Sequence, residues 1–317
     1  MTDPAAWPKV AVVGAGAVGG YFGGMLARAG APVVFIGRPA FVDAVKKNGL
    51  YLDTLQFQER VHVEASADLG AARGAEIVLF CVKTTDNSST AKTLAPILAP
   101  NALVVSLQNG VDNVDQIHAA GIASVLPSVV YIAAAVPEPG RIKHGGRGDL
   151  VVGPAGEATK RIADLFVPAG VPVRISENIH AELWTKFIAN CALNAISALS
   201  RAKYGRIAAD TETWRLVEGT IVEVLEVAKA SGIHLGPMAE PQQAFALARK
   251  IAAQIPEALS STCQDLMRGK RTEIDSLNGF IAHRGAKLGI PTPMNHALWA
   301  LIKIAEAAAE SASAAAK

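Results

Sequence analysis

The chain has 317 residues, of which half are apolar and 18% are charged, and its formal net charge is +2 at pH 7. This length predicts two domains, and the high apolar fraction excludes a disordered chain. The basic residues are dispersed and no apolar run approaches the ~20 residues that cross a bilayer, so neither a nucleic acid nor a membrane is expected as a partner.

The N-terminus and the cysteines predict a cytoplasmic protein. The first residues lack the cationic segment and the apolar core of a secretory signal. Cys81, Cys191 and Cys263 are an odd number of cysteines without a CxxC pair, which is typical of a reducing compartment. Each cysteine has apolar neighbours, so we expect three buried and unreactive thiols.

A glycine-rich loop lies between a strand and a helix near the start of the chain. The pattern G-x-G-x-x-G follows a predicted strand over 9–13 and opens a predicted helix that ends at Ala29. A second strand over 33–37 completes a βαβ unit of about thirty residues, in which such a loop contacts a pyrophosphate. We therefore predict a dinucleotide site, rather than a flexible connection, at Gly14, Ala15, Gly16, Ala17, Val18 and Gly19.

The end of the second strand indicates which dinucleotide is bound. Chains that bind NAD usually carry Asp or Glu there, which accepts hydrogen bonds from the ribose. This chain has Gly37 and Arg38 instead, and a guanidinium can bind a phosphate. The pattern favours NADP(H) over NAD(H); the alternative is that Arg38 is a solvated loop charge.

Further strands are predicted over 76–82, 103–107 and 124–136, and a hairpin that closes the sheet over 140–154. The first strand ends at Lys83, and the second leads into Asn109. Ligands bind beyond the carboxyl ends of parallel strands, where both side chains fall. The alternatives are a strand-end charge in water for Lys83 and an ordinary Asn-Gly turn for Asn109.

Helical periodicity replaces the strand pattern near Glu177, which places the domain boundary between residues 176 and 177. The first domain, 1–176, is predicted to be α/β with a mostly parallel, doubly wound sheet, and the second, 177–317, to be all-α. Gly and Pro breaks separate the predicted helices, which cover 178–200, 211–231, 239–253, 257–268, 272–288 and 295–311.

One predicted helix carries a polar stripe. Lys186, Asn190 and Asn194 follow at i, i+4 and i+8, so they share one face. Most other residues of this helix are apolar, and a buried ammonium with two carboxamides needs partners such as a small polar ligand. The alternative is an exposed ridge on which Lys186 pairs with Glu182, worth ~0.3–0.5 kcal/mol.

Two further polar residues do not indicate a site when taken alone. Thr272 and Asp275 have the spacing of a capping box, so Glu273 could be a first-turn carboxylate that complements the helix dipole. Ser261 could be an ordinary serine at the start of a helix.

Together these motifs resemble the ketopantoate reductase (2-dehydropantoate 2-reductase) family along essentially the whole chain. Their order and joint presence are more specific than the glycine loop alone. The motifs are GAGAVGG at 14–20, VKT at 82–84, LQNG at 107–110, ELWTKFIANCALN at 182–194, SSTCQDLMRGKRTEIDSLNG at 260–279 and GIPTPMN at 289–295.

The resemblance implies an N-terminal Rossmann domain, an all-helical C-terminal domain, and an active site in the cleft between them. It implies NADPH-dependent reduction of 2-dehydropantoate to (R)-pantoate, in pantothenate and coenzyme A synthesis, without a metal. The residue roles that it implies are Lys186 as the general acid with Glu273 as a second catalytic residue, Asn109, Asn190, Asn194 and Ser261 as substrate contacts, and Arg38, Lys83 and Asn109 as cofactor contacts.

The chain departs from the family pattern near the implied substrate contacts. Ala195 stands where proline is common, and Ala258 and Tyr204 stand where well-known members carry further substrate-contacting asparagines. These changes favour, as an alternative, reduction of a different branched or hydroxylated 2-oxo acid. A non-catalytic dinucleotide-binding sensor is a second alternative, although a binding module needs no proton donor. The sequence leaves a homodimer and the strictness of NADPH over NADH open.

Overall fold

The computed structural model describes residues 7–315, with side chains to residue 310, and the chain divides into two compact units between Ile179 and His180. Residues 1–6, part of the segment considered for a secretory signal, lie outside the described residues. In the described part of the chain, no helix is both long enough and apolar enough to span a membrane.

The first unit contains one ten-stranded sheet with the order β4-β3-β9-β8-β7-β6-β1-β2-β5, and β10 pairs with β9. Neighbouring strands in the run β8-β7-β6-β1-β2-β5 are all parallel. Among the described strands, only the pairs β3–β4 and β8–β9 are antiparallel. The strands are β1 Val10–Val13, β2 Val33–Ile36, β3 Leu50–Asp53, β4 Gln58–Val61, β5 Glu64–Ser66, β6 Ile77–Phe80, β7 Leu103–Ser106, β8 Val125–Ala135, β9 Arg141–Val152 and β10 Val173–Ile175.

Helices cover both faces of this sheet. Alternate residues of a strand point to opposite faces, and along β1 Val12 joins a core with Phe22 and Phe166 whereas Val13 joins a second core with Ile117. The predicted α/β domain with a mostly parallel, doubly wound sheet is thereby confirmed. Its helices are α1 Ala17–Arg28, α2 Pro39–Asn48, α3 Asn87–Leu94, α4 Asn113–Ala119 and α5 Glu157–Phe166.

The hairpin predicted over 140–154 is wrong. Strand β9 runs through this segment as one strand of twelve residues, antiparallel to β8, so the hairpin is β8–β9 and its turn lies at 136–140. The register shifts twice along this ladder, and Arg147 has a φ of 55° between two glycines that also have positive φ. The residues skipped at these shifts are Gly145 and Gly148, so this glycine-rich segment contains bulges within a strand rather than a hairpin turn.

The described part of the second unit contains helices and no strand, which confirms the all-helical second domain. The middle of α6 is its most buried part, with Phe187, Ile188 and Cys191 at most 1% exposed. The helices are α6 Ile179–Ser200, α7 Tyr204–Ala209, α8 Thr211–Ala230, α9 Pro241–Gln254, α10 Ser261–Met267, α11 Asn278–Leu288 and α12 Pro293–Ala315.

Helix α11 begins at Asn278, later than the predicted start at 272, because the expected capping box does not form. The Thr272 hydroxyl donates to Glu306 Oε1 on α12 at 2.6 Å. The Asp275 carboxylate accepts a hydrogen bond from Trp299 Nε1, also on α12, at 2.7 Å. Thr272 and Asp275 therefore bond to α12 instead of capping α11, and a short 3₁₀ turn precedes α11.

An ionic cluster on α12 holds this turn. Lys303 Nζ lies 2.9 Å from Asp275 Oδ2 and 3.0 Å from Glu306 Oε2. Burial alone would raise the pKa of the Asp275 carboxyl, but hydrogen bonds from Trp299 and Lys303 outweigh it and hold the pKa below its ordinary value. Burial alone would lower the pKa of Lys303, but Asp275 and Glu306 together raise it.

The dependence of thermal stability on pH in the acid range tests this cluster. Because the folded-state pKa of Asp275 is depressed, its contribution is present above the unfolded value of ~3.9 and is lost as the pH falls through the folded value. Asp275→Asn should therefore lower Tm by about 1–3 °C near pH 7, and by less towards about pH 3. Thermal unfolding across this range measures the difference. The exposed pair of Glu257 and Lys203 provides a control, Glu257→Gln; a Tm difference for Asp275→Asn that is independent of pH would contradict the assignment.

Candidate functional site

The glycine loop after β1 is packed so closely that two of its positions accept only glycine. Gly14 has a φ of 96°, and a Cβ there would lie 2.6 Å from the backbone of Cys81 and Val82. A Cβ at Gly19 would lie 2.5 Å from the carbonyl oxygen of Gly14. The loop therefore turns sharply, and α1 lies directly against it.

Gly16, the middle glycine of the motif, is in a different environment and fits a pyrophosphate. Gly16 is the N-cap of α1, and a Cβ at this position would meet nothing within 4 Å. Gly16 has no side chain with which to cap the helix, and the described first turn of α1, 17–20, carries no acidic residue. The first backbone N–H groups of a helix lack intrahelical acceptors and favour anions, so this open helix end fits the phosphates of a dinucleotide.

The end of β2 lies beside this loop. A Cβ on Gly37 would be 2.8 Å from the Cβ of Ala15, which shows how closely the two segments approach. Arg38 follows as the exposed N-cap of α2. At this described strand end, the residue that follows Gly37 is therefore an arginine rather than a carboxylate.

Two more predicted site residues lie at the same edge of the sheet. β1, β6 and β7 are adjacent and parallel, so their carboxyl ends meet at one edge. Lys83 follows β6 at the start of a 3₁₀ turn, and Asn109 follows β7; both are half-buried. Within the first unit, the structure therefore brings together the glycine loop and both of these loops.

A buried carboxamide network that the sequence did not reveal holds these two loops together. Gln108 Nε2 donates to Val82 O at 2.7 Å and to Asn87 Oδ1. Asn87 Nδ2 donates in turn to Asn113 Oδ1 at 2.8 Å, and Asn113 Nδ2 donates to Asn109 O at 2.7 Å. The backbones that carry Lys83 and Asn109 are therefore positioned by side chains which, in sequence, look like ordinary helix-start and turn residues.

In the second unit, α6 carries the predicted polar stripe. Lys186 and Asn190 are half-buried, and Asn194 is 3% exposed. Asn194 Oδ1 accepts a hydrogen bond from Tyr204 Oη at 2.9 Å. The structure thus keeps the three residues on one α-helix, and it adds Tyr204 of α7 at the Asn194 end.

Ser261 and Glu273 lie close in sequence to residues that anchor their segments. Ser261 is exposed at the first turn of α10, whose N-cap is Ser260: the Ser260 Oγ accepts from Cys263 N at 3.0 Å and donates to Asn194 O at 2.9 Å. Glu273 is half-buried in the turn before α11. The residue that caps α10 is thus Ser260, the neighbour of the predicted site residue Ser261. Ser260 also bonds α10 to the Asn194 end of the polar stripe.

The cysteines and acidic residues contribute no second centre in the described part of the chain. Burial raises the pKa of the Cys81, Cys191 and Cys263 thiols, and none of them forms a disulfide. Among the described residues, no group of three or more His, Cys, Asp or Glu side chains could hold a metal ion.

The strand order, the sharp glycine turn and the open N-terminus of α1 define the first unit as a dinucleotide-binding domain of the Rossmann type. Residues 10–157 match the family model described as "Ketopantoate reductase PanE/ApbA", and residues 178–306 match "Ketopantoate reductase PanE/ApbA C terminal". The chain belongs to the ketopantoate reductase family, which confirms the resemblance seen in the sequence.

Individual relatives are similar over nearly the whole chain. The 2-dehydropantoate 2-reductase of Pyrococcus abyssi is 33% identical over 305 residues, which cover 94% of this chain and 98% of that protein. A crystal structure of a PanE/ApbA family ketopantoate reductase from Ralstonia eutropha JMP134 is 46% identical, with a TM-score of 0.90, and the match covers 95% and 99% of the two chains. The chain is therefore an oxidoreductase.

The fold is also shared with a more distant enzyme. A ternary structure of D-mandelate dehydrogenase with NADH and anilino(oxo)acetate is 23% identical, with a TM-score of 0.87, and the match covers 95% of this chain and 99% of that one. At this level of identity, the likeness extends to the fold alone.

A substitution at Gly16 tests the phosphate site without disturbing the fold. Because the space beside Gly16 is open and its φ of −87° suits any residue, Gly16→Val should cost at most ~1 kcal/mol of stability. Its side chain should weaken dinucleotide binding by at least about tenfold, since it occupies the approach to the helix N-terminus. Calorimetric titration with NADPH measures this change. The control Gly19→Ala should instead lower Tm sharply; unchanged NADPH affinity in Gly16→Val would contradict the site.

Proposed function

We propose that this chain catalyses the NADPH-dependent reduction of 2-dehydropantoate to (R)-pantoate. The observation that carries the proposal is the polar stripe of Lys186, Asn190 and Asn194 on α6, a helix that is buried from Phe187 to Ala198 except at Asn190. A primary amine with two carboxamides at successive turns can donate hydrogen bonds and a proton to a small oxo acid. Membership of the ketopantoate reductase family supports this choice of substrate.

The residues of the first unit would hold the cofactor. The N–H groups at the start of α1 would bind its pyrophosphate, and Arg38 its 2′-phosphate. Lys83 would contact a cofactor phosphate, and Asn109 would lie near the nicotinamide. The exposed guanidinium beside the glycine loop is what supports NADPH over NADH, because a phosphate is the group that it binds best.

When bound, NADPH supplies a hydride to the C2 carbonyl carbon of the substrate. Lys186 Nζ donates a proton to the carbonyl oxygen as negative charge develops there. Glu273 would be the second catalytic residue, and its negative charge would stabilise the positive charge of Lys186. Asn190, Asn194 and Ser261 hold the substrate's carboxylate and hydroxyl, so that the reacting carbon is presented in one orientation.

A second candidate, reduction of a different branched or hydroxylated 2-oxo acid, rests on Tyr204. The Tyr204 N–H donates to Ala258 O at 3.1 Å, so two of the three positions at which the chain departs from the family pattern are in contact. The Tyr204 side chain is 8% exposed, and burial raises the pKa of its phenol, so the hydroxyl stays protonated and donates to Asn194 Oδ1. One of the two lone pairs of Asn194 Oδ1 is thus occupied, which favours its N–H₂ group as the part that contacts a substrate.

We also propose that the enzyme works in the cytoplasm, in pantothenate and coenzyme A synthesis. The family supports the pathway. Three cysteines without a disulfide support a reducing compartment.

If Lys186 is the general acid, its removal should lower the turnover rate without weakening cofactor binding. Lys186→Ala should lower kcat by about 100–10,000-fold, because proton donation contributes that much, while the Kd for NADPH stays unchanged. The measurement is the steady-state loss of NADPH absorbance with 2-dehydropantoate, beside a panel of other 2-oxo acids and an NADH control. Near-normal turnover in Lys186→Ala would refute the mechanism, whereas fast wild-type turnover of another acid in the panel would refute only the substrate.

The tyrosine predicts a change in substrate preference. Tyr204→Phe frees Asn194 Oδ1 to accept from a substrate hydroxyl, so kcat/KM for 2-dehydropantoate should rise by about 2–10-fold relative to a branched 2-oxo acid without a hydroxyl. Competition between the two acids measures the ratio. Tyr51→Phe, which removes an exposed phenol in the first unit, is the matched control. An unchanged ratio in Tyr204→Phe would show that the phenol does not set the preference.

A further inference from the structure

A fully buried asparagine connects the start of α11 with the polar helix α6. Asn278 is 0% exposed. Its Nδ2 donates to the backbone carbonyl of Cys191 on α6 at 3.0 Å and to Asn295 Oδ1 at 3.0 Å. One amide group therefore links three helices, α6, α11 and α12.

The partner side chains fix the orientation of this amide. Asn295 Nδ2 donates to Glu223 Oε2 at 2.8 Å and to Thr220 O at 3.2 Å, so its Oδ1 must face Asn278. Glu223 also accepts from the N–H groups of Met294 and Asn295, at 2.8 and 2.9 Å, and so caps α12. With both acceptors of Asn278 defined, its N–H₂ rather than its oxygen must point towards α6.

The bond from Asn278 to Cys191 lies near both proposed catalytic residues along the chain. Asn278 is five residues beyond Glu273, and Cys191 is five residues beyond Lys186. On α6 this separation corresponds to about 7.5 Å along the axis. The bond therefore fixes the segment that carries Glu273 against the helix that carries Lys186.

The other end of the Glu273 segment is also anchored. The backbone N–H and the hydroxyl of Thr272 both donate to Glu306 Oε1, at 2.7 and 2.6 Å, and Glu306 is itself buried. Glu273 thus lies between two fixed points: Thr272, which is bonded to Glu306 of α12, and Asn278, which is bonded to Cys191 of α6. A half-buried carboxylate held on both sides has little freedom to drift relative to α6.

Packing alone does not account for an asparagine at this position. Asn278 Oδ1 is buried and receives no hydrogen bond from the described residues. Such an atom destabilises the fold, and an apolar side chain would avoid that penalty. What the amide adds is its pair of donated hydrogen bonds, which act between elements rather than within one.

We propose that Asn278 is a positioning residue, whose amide sets the placement of Glu273 relative to Lys186 and Asn190. The inference rests on the roles proposed above for Lys186 and Glu273. It does not require Asn278 to touch the substrate.

Asn278→Ala tests this role against Val217→Ala, which truncates a fully buried apolar residue on α8 outside the network. The asparagine variant should lose about tenfold or more in kcat, with an unchanged KM for NADPH, because a small misplacement of reacting groups slows the chemical step. Hydrogen exchange of peptides over 184–194 should also become faster. The valine variant should lower Tm comparably, yet keep the wild-type kcat and the wild-type exchange of α6.

Asn278→Ser keeps a hydroxyl donor, should give an intermediate kcat, and replaces the alanine variant if that variant does not fold. If the Asn278 variants lose no more kcat than Val217→Ala and leave exchange over 184–194 unchanged, Asn278 is structural and the proposal is overturned. Lys186→Ala in the same series separates the two hypotheses. If it retains turnover, the proposed mechanism fails, while the exchange measurement still decides whether Asn278 anchors α6.

Discussion

The contact between the glycine loop and the next loop of the sheet is the constraint on which the first unit depends. The backbone of Gly14 lies so close to that of Cys81 and Val82 that no side chain fits between them. This contact fixes the turn after β1 against the turn after β6, and Gln108 then ties the turn after β7 to the same point. Three loops from three neighbouring strands are therefore held as one surface, and each of them carries a candidate cofactor residue.

Both units position their candidate site residues with buried carboxamides. In the first unit, Asn87 and Gln108 join two loops; in the second, Asn278 and Asn295 join three helices. Carboxamides do not titrate, so this scaffolding keeps the same hydrogen bonds across the range of pH in which a lysine or a glutamate changes charge. This holds for the bonds between carboxamides and backbone carbonyls, such as Asn278 to Cys191, whereas Asn295 in the second unit also bonds to the carboxylate of Glu223.

Features that depend on local spacing could be predicted from the sequence, and features that depend on distant partners could not. The glycine turn and the stripe of Lys186, Asn190 and Asn194 follow from short periodicities, and the structure contains both. The capping box at Thr272 failed because its true partner, Glu306, is 34 residues away. The Asn278–Cys191 bond spans 87 residues, and no local pattern encodes it.

The glycines of β9 show the same limit in another form. The glycine-rich segment around Gly145 and Gly148 is typical of a turn when neighbouring residues alone are considered, yet in the sheet these two glycines are the residues without a partner in a strand that pairs with β8. Which outcome applies is decided by the partner strand, since a bulge exists only relative to a ladder.

The order of the family's motifs predicted two site residues that periodicity could not: Ser261 and Glu273 became candidates only through the resemblance.

The two outermost strands, β4 and β5, limit how the protein can associate with itself. The sheet ends on one side with Glu59 and Arg60 in β4, and on the other with Glu64 at the start of β5, which has three residues. Short or charged edge strands resist the addition of another strand. Growth of the sheet across a second copy is therefore disfavoured at both ends of this strand order, and β10, the other described strand with a single partner, is also only three residues long.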